Sequence, residues 1–350
     1  MKMGKLEGVC RRGVPGLIIG ICLFFACAPA AQAHEKWFFT GMEPVLHISG
    51  FFTPFCQTAT ALAVTITIIG GVLWHGRGKK DLVPGPEVLG ATDESMVRFY
   101  SWVPLILGIH FAVPLMVLGV QGDLFSANNQ LPLPWNLFMG LAEIGFALSF
   151  LYGGLTRLAG LGLGLLWLVG VFVVGIEPAL ENLIFLGAAV FFFCTGRGPY
   201  AIDRLLFPAL EPSPALAVQA MKALRISVGL GFAFVAFSEK LANPELATAF
   251  LDQHHLNFTS ALGFALPDRA FIWCAGATEL IIGLFLAFGF FPRVIILVAW
   301  GIINLTLTIF SWVELVGHLP IYGVMAVLLI WTPSEKSGRL WVRGVLGPDS

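Results

Sequence analysis

Two glutamates sit inside apolar runs where no water is at hand to solvate a carboxylate. Glu143 lies in WNLFMGLAEIGFALSFLYGG and Glu279 in DRAFIWCAGATELIIGLFLAFG. A carboxylate at such a place must be paired, protonated or wet. Each Glu has a glycine three residues earlier (Gly140, Gly276) and a small residue four later (Ala147, Gly283). That spacing bares one helix face for a close neighbour. The chemistry on offer is proton transfer, and the bases within reach are His110 and Lys240. At 1.5 Å per residue both glutamates are about 12 Å inside their spans. His110 comes about 18 Å up its own span, level with Glu143, and Lys240 about 23 Å up. The Lys240 stem is long enough to reach toward Glu279. Two acid/base pairs are therefore expected, Glu279 with Lys240 and Glu143 with His110, the first being the more intact. The competing reading of each Glu is an interhelical hydrogen bond that holds the bundle. The competing reading of Lys240 is an anchor at the membrane interface.

The histidines are lopsided. His34, His47, His110, His254, His255 and His318 map to one side of the expected topology and only His75 to the other. If a leader is cut after Ala33, His34 offers an amine and an imidazole together. With two partners from His47, His254, His255 and His318 it would make a histidine-brace copper site. Glu314 and His318 stand at i, i+4 and share a face if the chain there is helical. The competing reading is that these histidines are solvated in loops, since no spacing has the strength of HExxH. The six cysteines form no CxxC or CxxCH, so zinc ribbons, redox dithiols and attached haem find no support. The glycines of Gly160-Leu161-Gly162-Leu163-Gly164 lie in an apolar span with no strand before them, which reads as helix packing rather than nucleotide binding.

The elements that position these residues must be membrane helices. Of 350 residues 57% are hydrophobic and 12% charged, about half the charged share of a soluble domain. Lipid is then the solvent. The net charge of -1 says nothing about nucleic acid, but there is no basic patch for it, so no nucleic-acid partner is expected. Residues 1–33 read as a signal peptide: a basic start, an apolar core over Leu17 to Ala28, and a small-residue site at Ala31-Gln32-Ala33. An uncleaved first helix is the alternative, and lipidation at Cys27 is disfavoured by the bulky Phe24 and Phe25. Spans are expected at 51–74, 98–120, 135–155, 158–176, 179–195, 219–241, 271–290, 293–313 and 315–332. The expected fold is thus all-α and polytopic, with about nine transmembrane helices. Arg77, Lys79, Lys80, Arg157, Arg197, Arg204, Arg293, Lys336, Arg339 and Arg343 gather on one side. The positive-inside rule makes that side cytoplasmic, in an inner (plasma) membrane of bacterial type, with the mature N-terminus outside and the C-terminus inside.

The chain also repeats itself. Moving Phe271–Thr332 back by 136 residues lays it on Trp135–Gly196, matching Glu279 with Glu143, Gly276 with Gly140, Gly289 with Gly153, Arg293 with Arg157 and Gly323 with Gly187. Both copies run in the same direction, unlike the inverted repeats of many carriers. The expected organisation is an N-terminal part 34–97 with one span and a linker, a four-helix repeat 98–207, a linker 208–218, a second four-helix repeat 219–332 and a cytoplasmic tail 333–350.

Three stretches resemble the DoxX family of four-helix membrane proteins, which includes the DoxD-type small subunit of thiosulfate:quinone oxidoreductase. One is Arg225 opening a helix that ends Phe237-Ser238-Glu239-Lys240-Leu241. The second is Glu279-x-x-x-Gly283 with Gly289 and Arg293. The third is Gly196-Arg197-Gly198-Pro199-Tyr200-Ala201-Ile202-Asp203. The resemblance covers 219–332 well and 98–207 more loosely, since the first copy lacks the Lys. It implies a membrane subunit of a quinone-linked oxidoreductase, with quinone as cofactor and a redox partner subunit supplying electrons, because the chain has no flavin, haem or iron–sulfur signature. The alternative is a non-catalytic scaffold, assembly factor or copper-handling protein, with an alternating-access carrier third.

Overall fold

The computed structural model describes residues 35–39, 41, 44–207, 214–310, 312–331 and 334–347. The expected signal peptide and His34 lie outside the described residues. The described chain is helical, with one isolated bridge between Asp123 and Gln130 and no strand. Among the described residues seven helices are long and apolar enough to cross a membrane. Two shorter apolar helices, Leu183–Thr195 and Pro292–Leu307, occupy the other two expected spans.

A four-residue helix α1 (Glu35–Phe38) precedes α2 (Pro54–Gly76). Thr53 caps α2 by accepting from the Cys56 N–H at 3.2 Å, with Pro54 opening the first turn. Thr58, Thr60, Thr65 and Thr67 turn their hydroxyls back to carbonyls four residues earlier, which lets them lie in an apolar span. Helix α2 lies against α11 (Asp268–Phe288), where Trp273 donates to the Phe55 carbonyl at 3.1 Å.

Helix α3 (Asp93–Gln121) packs on α4 (Trp135–Tyr152) at bare glycine faces. A Cβ on Gly119 would lie 2.6 Å from the Gly140 carbonyl oxygen, so the two backbones touch. Helix α5 (Thr156–Val173) follows, then a short α6 (Ile176–Glu181) and α7 (Leu183–Thr195). The expected span 179–195 is therefore broken at Asn182, and α6 is bent aside from it. After α8 (Ile202–Leu206), α9 (Pro214–Val235) runs into a π-helical turn, Ala236–Leu241. The segment 242–270, expected as a long loop, folds in part as α10 (Pro244–His254), burying Leu246, Ala247, Phe250 and Leu251 against Phe271, Ile272 and Ala275. Helices α12 (Pro292–Leu307) and α13 (Trp312–Ile330) complete the bundle. The tail forms an amphipathic helix α14 (Glu335–Leu346) whose Leu340, Trp341 and Val345 are buried, with Trp341 edge-on to Tyr100 of α3.

The α4–α5 and α11–α12 hairpins share their turns at the 136-residue offset. Gly153 (φ 73°) and Gly289 (φ 76°) end the first helix of each, left-handed. Leu155 (φ 55°) and Phe291 (φ 45°) open the second, in a conformation that side-chain-bearing residues rarely adopt. Each turn is held by a distant carboxylate: Asp203 accepts from the Leu155 and Thr156 N–H groups, and Asp81 accepts from the Arg293 N–H at 2.8 Å. An arginine closes the first helix of each hairpin. Arg197 donates to the carbonyls of Phe150 and Leu151, and Arg225 to those of Leu286 and Ala287.

Candidate functional site

The buried charges converge at the end of the bundle that carries α1. Lys240 is fully buried and ion-paired with Glu279 at 3.1 Å and with Glu35 at 3.4 Å. The Glu35 backbone N–H donates to the Glu239 carboxylate at 2.7 Å. Lys36 reaches Glu181 at 2.6 Å and Glu177 at 2.8 Å, and Ser238 donates to Glu181 at 2.7 Å. One connected cluster thus joins α1, α6, the π turn and α11.

The π turn carries three polar residues of the cluster in succession, and Ser238, Glu239 and Lys240 are all fully buried. Gly276 then admits the Lys240 stem: a Cβ there would lie 3.2 Å from Lys240 Cβ. Among the described residues four buried carboxyls, on Glu35, Glu181, Glu239 and Glu279, face two buried ammonium groups, on Lys36 and Lys240. Desolvation makes four ionised acids against two cations costly and so favours proton uptake in the cluster. Glu35 shows where. Burial pushes its carboxyl up to about 8, against the pull of Lys240 and with the push of Glu239 and Glu279.

A pH dependence follows. Unfolded, Glu35 titrates near 4.5; folded, at about 8. Its contribution to stability is fully present below the lower value and is lost as pH climbs through the upper one. The groups facing it are Lys240, Glu239 and Glu279. Thermal melts in detergent should show a loss of roughly 2–3 kcal/mol between about pH 6 and about pH 9. Glu35→Gln should remove most of that slope, and an unchanged slope in the variant counts against a protonated Glu35.

The expected residues meet unevenly. Lys240 and Glu279 come together. Glu143 is buried, but its carboxylate accepts the Phe125 N–H at 3.0 Å, and among the described residues no ion pair joins it to His110. His110 hydrogen-bonds the Ile106 carbonyl at 2.7 Å and packs toward Gly323 of α13. The place beside Gly140 that would match Lys240 beside Gly276 is taken by Gly119. Glu314 and His318 do share a face of α13, 3.3 Å apart and buried, with Thr306 donating to Glu314 at 2.6 Å. The other copper candidates stay dispersed. His254 bonds the Phe38 carbonyl at 3.1 Å, and His47 and His255 are exposed. Among the described residues no group of three or more His, Cys, Asp or Glu is placed to hold a metal.

Two cavities adjoin the cluster. The smaller, about 50 Å³, is lined by Glu181, Glu279, His318 and Trp37 within an apolar wall. That is room for about three or four waters. The larger, about 250 Å³, is lined by Pro114, Val313, Val316 and Trp312, with Gln121, Asp123, Ser126 and Gln130 as its polar groups. Trp37, Phe125, Phe185 and Gly317 line both. The Trp37 indole donates to Ser126 at 2.5 Å and its ring lies 5.2 Å from that of His318. Comparison of the chain with family models, with curated proteins and with solved structures finds no match.

Proposed function

We propose that this chain is a DoxX-like integral membrane protein of nine spans, built from two parallel four-helix repeats, and that it serves as the membrane subunit of a quinone-linked oxidoreductase. On this reading the α1 end faces outside and α14 the cytoplasm. The observation that carries it is a buried cluster of four carboxyls and two ammonium groups, separated by one shared wall from a cavity of ring size. A quinone, when bound, takes up two electrons and two protons to become a quinol. The residues present suit such a head group: an aromatic and aliphatic wall, with Gln121 and Gln130 as hydrogen-bond donors to its oxygens. On this reading Glu35 holds the exchangeable proton, and Glu181, Glu279 and His318 face the water-sized cavity through which a proton can pass. Electrons would come from a partner subunit.

The second reading, a non-catalytic scaffold, is favoured by one observation: the same charges pin α1 to α6 and to the π turn. Titration of the bilayer-embedded protein with a short-chain quinone separates the two. Saturable binding that Val316→Trp abolishes, with the melt of the variant unchanged, is expected. No saturable binding leaves the scaffold.

A further inference from the structure

A third cavity, of about 390 Å³, lies at the opposite end, between the α4–α5 turn, the exit of α7, α8 and α14. Its lining carries three arginines, Arg157, Arg197 and Arg204, against one acid, Asp203. That acid is already engaged, accepting from the backbone N–H groups of Leu155 and Thr156. Arg204 is engaged too, donating to the Leu346 carbonyl. Arg197 is 2% exposed. Its Nε and Nη2 donate to the Phe150 and Leu151 carbonyls at 2.7 and 3.0 Å, which fixes the guanidinium plane. Its remaining Nη1 is buried with no hydrogen-bond partner among the described residues, and so is Nη2 of Arg157. A buried guanidinium nitrogen without an acceptor is costly. Both residues line one cavity, and a bidentate, permanently charged guanidinium suits an anion with several oxygens.

Gly153 lets the Arg197 stem pack against the α4–α5 turn: a Cβ there would lie 2.6 Å from Arg197 Cγ, and φ is left-handed. The rim is apolar: Leu155, Leu158 and Phe207 are exposed beside the arginines. An anion bound here would therefore have hydrocarbon beside it.

We propose that this cavity binds the phosphate of an anionic membrane lipid, with Arg157 and Arg197 on the phosphate oxygens and Leu155, Leu158 and Phe207 against the glycerol and first methylenes. Basic recesses between spans at the headgroup level are suited to such lipids. The site is distinct from the cluster at the α1 end, and its occupancy does not depend on quinone.

The test uses the full chain in a neutral detergent. It is titrated with short-chain phosphatidylglycerol, with phosphatidylcholine of the same chain length, and with inorganic phosphate, and adducts are counted by native mass spectrometry alongside thermal melts. Phosphatidylglycerol should bind about tenfold or more tighter than phosphatidylcholine, and Arg157→Gln should erase that preference. Arg157 is the variant of choice because Arg197 also closes α4 and its loss threatens folding. Should Arg157→Gln itself fail to fold, Leu158→Trp, which crowds the rim, must weaken phosphatidylglycerol alone. Equal binding of both lipids overturns the proposal. Inorganic phosphate binding as tightly as the lipid would overturn the lipid source and leave a free-phosphate site.

Discussion

Lys240→Met should destabilise the protein by about 3–5 kcal/mol, the cost of removing one partner from a buried ion pair. The side chain is fully buried, 3.1 Å from the Glu279 carboxylate and 3.4 Å from the Glu35 carboxyl, with Glu239 as its sequence neighbour. Methionine fills nearly the same volume, so the loss is electrostatic rather than a cavity. The remedy open to the variant is further protonation. Its melt should therefore recover at low pH more than that of the wild type. Glu279→Gln should cost less, since Glu35 still faces Lys240. The double variant, Lys240→Met with Glu279→Gln, should be less damaged than the two single losses added together. A double-mutant cycle in detergent measures this directly. Additive losses would mean that the two charges do not meet, and Lys240 would revert to an interfacial anchor.

The next largest effect is steric. Gly283→Ala should cost about 1–3 kcal/mol, because overpacking a tight contact forces backbone shifts. A Cβ at Gly283 would stand 2.6 Å from both the Ala233 nitrogen and the Gly229 oxygen. These are backbone atoms of α9 and cannot swing aside, so α9 and α11 must part. The control is Gly301→Ala on α12, where a Cβ would meet nothing. There alanine should be neutral or should stabilise by up to about 1 kcal/mol through helix propensity. Parallel melts of the two variants decide the matter. A loss of the same size at both positions would show that propensity and not contact governs Gly283.

The helices and the small-residue faces were legible because hydropathy and spacing are local. Gly140 and Gly283 could be named from their distance to a Glu, and both prove to be backbone contacts. Lys240 and Glu279 could be paired because both lie on long helices, where a rise of 1.5 Å per residue converts sequence into depth. His110 follows the same arithmetic and still misses Glu143, since depth says nothing of azimuth. His110 is turned toward α13, and Gly119 occupies the ground beside Gly140. Glu35 and Lys36 were not legible at all. They sit in a four-residue helix outside any span, and their partners are 141 to 205 residues away. The one trace they leave in the sequence is a Glu-Lys pair near the chain start that matches a second Glu-Lys pair at 239–240. Nor does composition foretell the π turn at Ala236–Leu241.

The central claim is that the Glu35–Lys240–Glu279 cluster holds a proton at neutral pH and stands one shared wall away from a quinone head group. Infrared difference spectroscopy of the bilayer-embedded protein, with and without the short-chain quinone, bears on both halves at once. A protonated-carboxyl stretch should be present at neutral pH, should vanish in Glu35→Gln, should titrate away near the folded value of about 8, and should shift when quinone binds. A neutral-pH spectrum without that band, or a band that quinone leaves untouched in protein shown to bind it, would contradict the account.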